Sequence, residues 1–183
     1  MKSSLGSVPY YRLATPLIAS VRPVGPRIIV AAAGTARPTR YALRLRNLAV
    51  FSYANEFCDA AKKAGSPLVR AYLLGHALEL YLKAFLLKSG FNSGDLKNKR
   101  KFGHQLDRLL TAAEAQGIGK QVHISARLRQ DMSELNSVYS SRALQYFSLA
   151  HMFTNPTIPH LARIFRFADQ LRKTVGKLVQ EKA

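Results

Sequence analysis

The sequence predicts an all-α fold, an up-and-down bundle of about five helices behind an irregular basic N-terminal arm. Three observations predict it. Residues 68–88, LVRAYLLGHALELYLKAFLLK, are apolar on nearly every side of a helix, with Arg70, His76, Glu79, Lys83 and Lys88 as their charged or strongly polar positions. A helix of that kind must be covered by other elements, because no face of it can be left to water. From about residue 45 onward, apolar residues recur at helical spacing and no strand alternation of useful length competes with them. Glycines and prolines cut this pattern into segments of helical length.

The arm comprises residues 1–44. Over residues 1–46 the chain carries Lys2, Arg12, Arg22, Arg27, Arg37, Arg40, Arg44 and Arg46, no acid, and five of its eight prolines. Prolines so spaced leave no helical or strand period except a short apolar run at 28–33. That run is too short to cross a bilayer, and no secretory-type apolar centre is evident. Three readings fit the arm: a flexible basic arm touching nucleic acid, an Arg-rich organellar transit segment, or an extension upstream of the true start. In each it lies outside the folded domain, as disordered or non-native sequence, and the bundle occupies residues 45–183.

The first helix is expected over residues 45–64, with Leu48, Phe51, Phe57, Cys58 and Ala61 as its apolar face. Gly65 closes it, and Ser66-Pro67 opens the central helix with a cap residue followed by proline at the first helical position. Ser89-Gly90 ends that helix, glycine suiting a left-handed cap. Residues 91–102 read as a loop holding the basic cluster Lys97, Lys99, Arg100 and Lys101, candidate contacts for nucleic acid. A third helix runs from about Gly103 to Gln116 on Leu106, Leu109, Leu110 and Ala113, stopping at Gly117. A fourth covers roughly 125–148, with Leu128, Met132, Leu135, Val138 and Tyr139 at helical spacing. Two prolines break the chain between Thr154 and Pro159. The last helix follows on Ile164, Ala168, Leu171, Val175 and Leu178, with Arg166, Lys173 and Lys177 on the opposite, solvated side.

A chain of 183 residues, 48% of them apolar, is long enough for one domain with a real core. Its net charge of +18, from 28 basic and 10 acidic residues, attracts polyanions, nucleic acid first and anionic membrane next. Subtracting the eight charges of residues 1–46 from +18 still leaves +10. The single cysteine, Cys58, excludes an internal disulfide and a cysteine-based metal site, and fits a reducing, cytoplasmic setting.

No phosphate-binding glycine loop, dinucleotide fingerprint, His-Glu-x-x-His or nucleophile elbow occurs. Ten scattered acids argue against a magnesium-dependent nuclease, because hard cations need grouped oxygen ligands. His76, His104, His123, His151 and His160 are not at metal-ligand spacing, so neither a metal nor a cofactor is expected.

What remains is a polar stripe on the central helix. At about 100° per residue, Tyr72, His76, Glu79 and Lys83 fall within a narrow sector. Glu79 and Lys83 are four apart, in the order that favours an ion pair, and Glu79 lies within reach of His76. His104, near the start of the third helix, can be brought to the same stripe by an antiparallel neighbour. Ionisable groups in an apolar helix are costly unless paired. Two readings stay open: the groups satisfy one another inside the bundle or at a dimer seam, or they form a ligand or catalytic site.

The order His76-Ala77-Leu78-Glu79, Lys83-Ala84-Phe85-Leu86, Gly103-His104-Gln105-Leu106 and then Arg142 in Tyr139-Ser-Ser-Arg-Ala resembles the pattern of HEPN domains. The resemblance covers about residues 47–180 and leaves the arm outside. It implies an up-and-down helical bundle, often a homodimer, tied to RNA cleavage, nucleotide binding, or toxin–antitoxin and defence systems, with an antitoxin or nucleotidyltransferase as partner and no membrane. Ribonucleases of that family carry an arginine followed a few residues on by a histidine in a late helix, where the two side chains move the 2′-hydroxyl proton and stabilise the phosphorane charge. Here Arg142 meets no histidine until His151, eight residues intervening. The literal match, Arg70 with five residues before His76, lies in the central helix, where the two point about 120° apart. The expected function is therefore an RNA- or nucleotide-associated binding or interaction protein. The alternative is a metal-independent ribonuclease using His76 or His104 with Arg70 or Arg142.

Overall fold

The computed structural model of the chain describes residues 39–140 and 160–181. These residues form an all-α bundle, and among them there is no strand. Its helices are α1 (Arg40–Lys63), α2 (Pro67–Lys88), α3 (Ser93–Lys97), α4 (Leu106–Ala115), α5 (Ala126–Ser140) and α6 (Leu161–Gln180), with a 3-10 turn at Ile118–Lys120.

α2 is the hub. It packs against α1, α4, α5 and α6, and 12 of its 22 residues are buried, as a helix without a polar face requires. Pro67 stands at its first turn, and Gly90, at φ +94°, follows its end in the left-handed conformation expected of a cap. α1 lies beside it across the three-residue turn 64–66 and buries Phe51, Ala54, Cys58 and Ala61. α6 buries Ile164, Ala168, Leu171 and Val175 and leaves Arg166, Lys173 and Lys177 exposed. Ion pairs join α6 to its neighbours: Arg172 to Asp59 at 2.7 Å and Lys62 to Asp169 at 2.6 Å on α1, and Arg163 to Asp131 on α5. The two pairs to α1 are largely solvated and add little, at most about 1 kcal/mol each, so the apolar seam holds the helix.

Three boundaries differ from the sequence expectation. α1 starts at Arg40, five residues before the expected 45, because the Thr39 hydroxyl accepts the Ala42 N–H at 3.2 Å and caps the helix. Arg40 and Arg44 therefore belong to a helix and not to an arm. The expected loop 91–102 contains α3, nucleated by the Asn92 side chain accepting from Gly94 N–H at 2.7 Å and anchored by buried Leu96. α4 begins at Leu106 instead of Gly103. The Asn98 carbonyl accepts from the amides of Lys101, Phe102 and Gly103 and holds these residues in a turn. The Asn136 side chain on α5 then caps α4 by accepting from Leu106 N–H at 2.8 Å. Residues 1–38, the expected continuation of the fourth helix to 148 with Arg142, and the proline break at 154–159 lie outside the described residues. No described helix is long and apolar enough to cross a membrane.

Thr39→Ala should lower stability by about 1 kcal/mol, the usual cost of losing a side-chain cap. It should also accelerate hydrogen exchange at Ala42, with exchange in α2 tracking only the global loss. Equal exchange at Ala42 in both proteins would place the start of α1 elsewhere.

Candidate functional site

The polar stripe of α2 converges on one carboxylate. Glu79 is only 3% exposed, and both of its oxygens are occupied. Oε1 accepts from Lys83 Nζ at 2.5 Å, one turn further along α2. Oε2 accepts from the Tyr139 hydroxyl of α5 at 2.5 Å and faces Nδ1 of His104 at 3.0 Å. His76 is displaced from the carboxylate, 4.0 Å from Oε2, and meets the Tyr139 hydroxyl at 2.8 Å instead. The arrangement is a chain, His76–Tyr139–Glu79, with His104 and Lys83 closing on the same carboxylate.

Counting protons assigns the imidazole tautomers. A phenol has one hydrogen, and that of Tyr139 points to Glu79; Nδ1 of His76 must therefore donate to the phenolic oxygen. An ionised carboxylate only accepts, so Nδ1 of His104 donates as well. In the neutral form both rings then carry their lone pair on Nε2. His104 is the more open of the two, with 37% of its side chain exposed against 26% for His76.

Local structure explains how these groups meet. Gly75 sits inside α2, where glycine costs helix stability. A Cβ there would come within 2.8 Å of the Tyr139 ring, so the missing side chain is what allows Tyr139 to lie against α2 beside Glu79. Gly103, at φ +50° and with its Cβ position 3.0 Å from Lys99 Cα, turns the chain so that His104 faces the stripe. Phe57 of α1 meets the His76 ring edge-on at 4.3 Å, and Tyr72 stacks on it at 6.4 Å. His76 thus sits in an aromatic enclosure formed by Phe57, Tyr72 and Tyr139.

The electrostatics follow from this enclosure. Burial alone would raise the Glu79 carboxyl, but Lys83, Tyr139 and His104 outweigh it and hold the group below its ordinary 4.5. Burial lowers His76 below its ordinary 6.5; the attraction of Glu79 opposes that, and His104 and Lys83 reinforce it. The Tyr139 hydroxyl is pushed far up by burial and by the facing carboxylate, and stays a donor. A neutral His76 can accept a proton or a hydrogen bond at Nε2. The carboxylate, with both oxygens engaged, orients the imidazoles and cannot itself be a nucleophile.

The predicted site residues thus separate into groups. Tyr72, His76, Glu79, Lys83 and His104 come together as the spacing suggested. Arg70 does not join them. Its guanidinium donates to the Ala64 carbonyl at 2.9 and 3.3 Å, capping the end of α1 at the α1–α2 turn. Arg142 lies outside the described residues. Lys97, the last residue of α3, and Lys99 and Arg100 beyond it are exposed, and Lys101 pairs with Asp95 at 2.6 Å. Tyr139 is the member that sequence reasoning missed: its helical spacing marked it as core, and the signal that would have found it is Gly75, a gap in α2 beside His76. Among the described residues, no group of three His, Cys, Asp or Glu side chains could hold a metal ion. No family model, no curated protein and no solved structure matches this chain.

Lys83→Ala leaves the buried carboxylate without its cation and should cost on the order of 3 kcal/mol in urea denaturation; a loss below about 0.5 kcal/mol would mean that Glu79 is solvated. The pH dependence has a definite sign. Both His76 and Glu79 bind protons more readily in the unfolded chain, so their contribution is complete above the ordinary 6.5 of histidine. Stability should fall as pH drops through that value and fall again below 4.5, until each folded-state pKa is passed. His76→Gln should flatten the upper limb of a melting-temperature profile and leave the lower one in place.

Proposed function

We propose that this protein is a HEPN-like RNA- or nucleotide-associated binding protein, acting as a homodimer beside an antitoxin or nucleotidyltransferase in a toxin–antitoxin or defence system. The observation that carries the reading is the exposed trio Lys97, Lys99 and Arg100, set on the segment that also delivers His104 to Glu79. Exposed cations without acidic partners are what phosphate contacts need, and the net charge of +18 supplies the long-range attraction. The imidazole of His104, four residues beyond Arg100 in the chain, offers a hydrogen-bonding edge to a nucleotide that reaches past the backbone contacts. Dimer formation is supported by Tyr41, Leu45 and Tyr53, large apolar side chains exposed along one side of α1.

A specific observation favours a second reading, the metal-independent ribonuclease. His76 and His104 are anchored through Nδ1 on one hydrogen-bonded network, and two such rings can divide acid and base roles at a phosphodiester. One Nε2 would take the 2′-hydroxyl proton as that oxygen attacks phosphorus, while the other ring, protonated, would give its proton to the departing 5′-oxygen. Against it stand the position of Arg70 at the α1 cap and the absence of a facing guanidinium at the network among the described residues.

Binding of single-stranded RNA should weaken linearly with the logarithm of salt concentration, and replacing Lys97, Lys99 and Arg100 by alanine should reduce that slope by about 2. A slope insensitive to salt would contradict the phosphate reading. Incubation with total RNA in EDTA separates the two functions: intact RNA is expected, and cleavage abolished by His76→Ala or His104→Ala would establish the ribonuclease instead.

A further inference from the structure

A cavity of about 550 Å³ opens where the start of α1 meets the ends of α2 and α6, away from the Glu79 network. Its size is that of a small-molecule site. Exposure sorts its lining into a rim and a floor. Arg40 and Arg44 of α1 and Lys88 of α2 are exposed, as is Glu181 beyond α6, whereas Leu87 and Val179 are buried and Leu43 is half-buried. The rim therefore carries three cations against one acid, and the floor is apolar. Among the described residues, none of the three cations is in an ion pair. Arg40 and Arg44 stand four apart on one helix, a spacing at which like charges repel. The positive end of α1, which begins at Arg40 with no acid in its first turn, adds to the same field.

An anion at this rim relieves the repulsion, and a guanidinium holds a carboxylate or phosphate through two parallel hydrogen bonds. The floor asks for different chemistry. Leu43, Leu87 and Val179 offer only carbon, and the Oδ1 of Asn47 is shut off from the surface, so the floor provides no side-chain acceptor. A sugar or a base seated there would bury donors without partners, which is costly. A body of carbon alone loses nothing by leaving water and gains from the apolar floor. The chain's own leading segment is a poor occupant, because residues 1–38 bring five basic side chains and no acid to a basic rim.

We infer that this cavity binds an amphipathic anion, an alkyl chain bearing one carboxylate or phosphate, with the head held at the rim by Arg40, Arg44 and Lys88 and the chain lying on Leu43, Leu87 and Val179. The site is independent of the Lys97–Arg100 surface and stands or falls separately from RNA binding there.

The test is calorimetric titration of the full chain, below micelle-forming concentrations, with octanoate, decanoate and decyl phosphate, against acetate, inorganic phosphate, decanol and adenosine monophosphate. Decanoate or decyl phosphate is expected to bind with unit stoichiometry, at least about tenfold tighter than acetate, inorganic phosphate or decanol, since each of these lacks the head or the chain. The tighter of the two heads identifies the anion. Each methylene added between octanoate and decanoate should tighten binding about two- to fourfold. Arg44→Glu puts an acid near the positive end of α1, where the helix tolerates it, and should weaken binding at least about tenfold. Arg166→Glu makes the same charge change about 20 Å along α6 from Val179, beyond the reach of a screened charge, and should leave binding within about twofold. Neither amphiphile binding, decanol binding as tightly as decanoate, adenosine monophosphate binding tighter than both amphiphiles, or equal losses in the two variants would overturn the assignment.

Discussion

A carboxylate buried in the middle of an apolar helix is tolerated only when its oxygens are answered by donors, and the arrangement around Glu79 follows from that requirement. Lys83 supplies the charge from one turn away on the same helix. Tyr139 supplies a hydroxyl from α5, and His104 an imidazole from the turn before α4. Because each donor comes from a different segment, the carboxylate acts as a fastener: α5 and the 98–105 turn are held against α2 at defined positions. His76 is then placed by Tyr139 at one remove. The same three contacts that stabilise Glu79 also orient two imidazoles, one directly and one through Tyr139, so architecture and site are one structure here.

Much of this was legible in the sequence. The buried character of α2 follows from its all-round apolar surface, and the grouping of His76, Glu79 and Lys83 follows from helical spacing alone. His104 was assignable by the Gly-His-x-Leu element. Tyr139 was not, because an aromatic residue at a core position reads the same whether its hydroxyl is idle or bonded; only the Gly75 gap distinguishes the cases, and that requires knowing which helix lies opposite. The start of α1 was hidden by the run of prolines ending at Pro38, which made Thr39 look like arm sequence instead of a cap. α3 was hidden by its length, since five residues carry too little period to outweigh a loop-like composition. Arg70 illustrates the converse: spacing suggested a partner for His76, while its guanidinium serves the α1 terminus.

The functional weight therefore rests on position more than on residue type. The saturated carboxylate favours orientation of neighbouring groups over direct chemistry, which supports the proposed binding role. A ribonuclease would use the same two rings in a different way, and the distinction lies in whether a guanidinium or a second subunit completes the cleft.

Glu79 orders its donors so that both His76 and His104 present Nδ1–H. Long-range nitrogen–proton correlation spectra of the imidazoles, recorded near neutral pH, test this directly. The expected result is protonated Nδ1 and unprotonated Nε2 in His76, an Nδ1 proton on His104, and loss of both patterns on Glu79→Gln. An Nε2–H tautomer at His76 would reverse the hydrogen bond to Tyr139 and contradict the chain from His76 to Glu79.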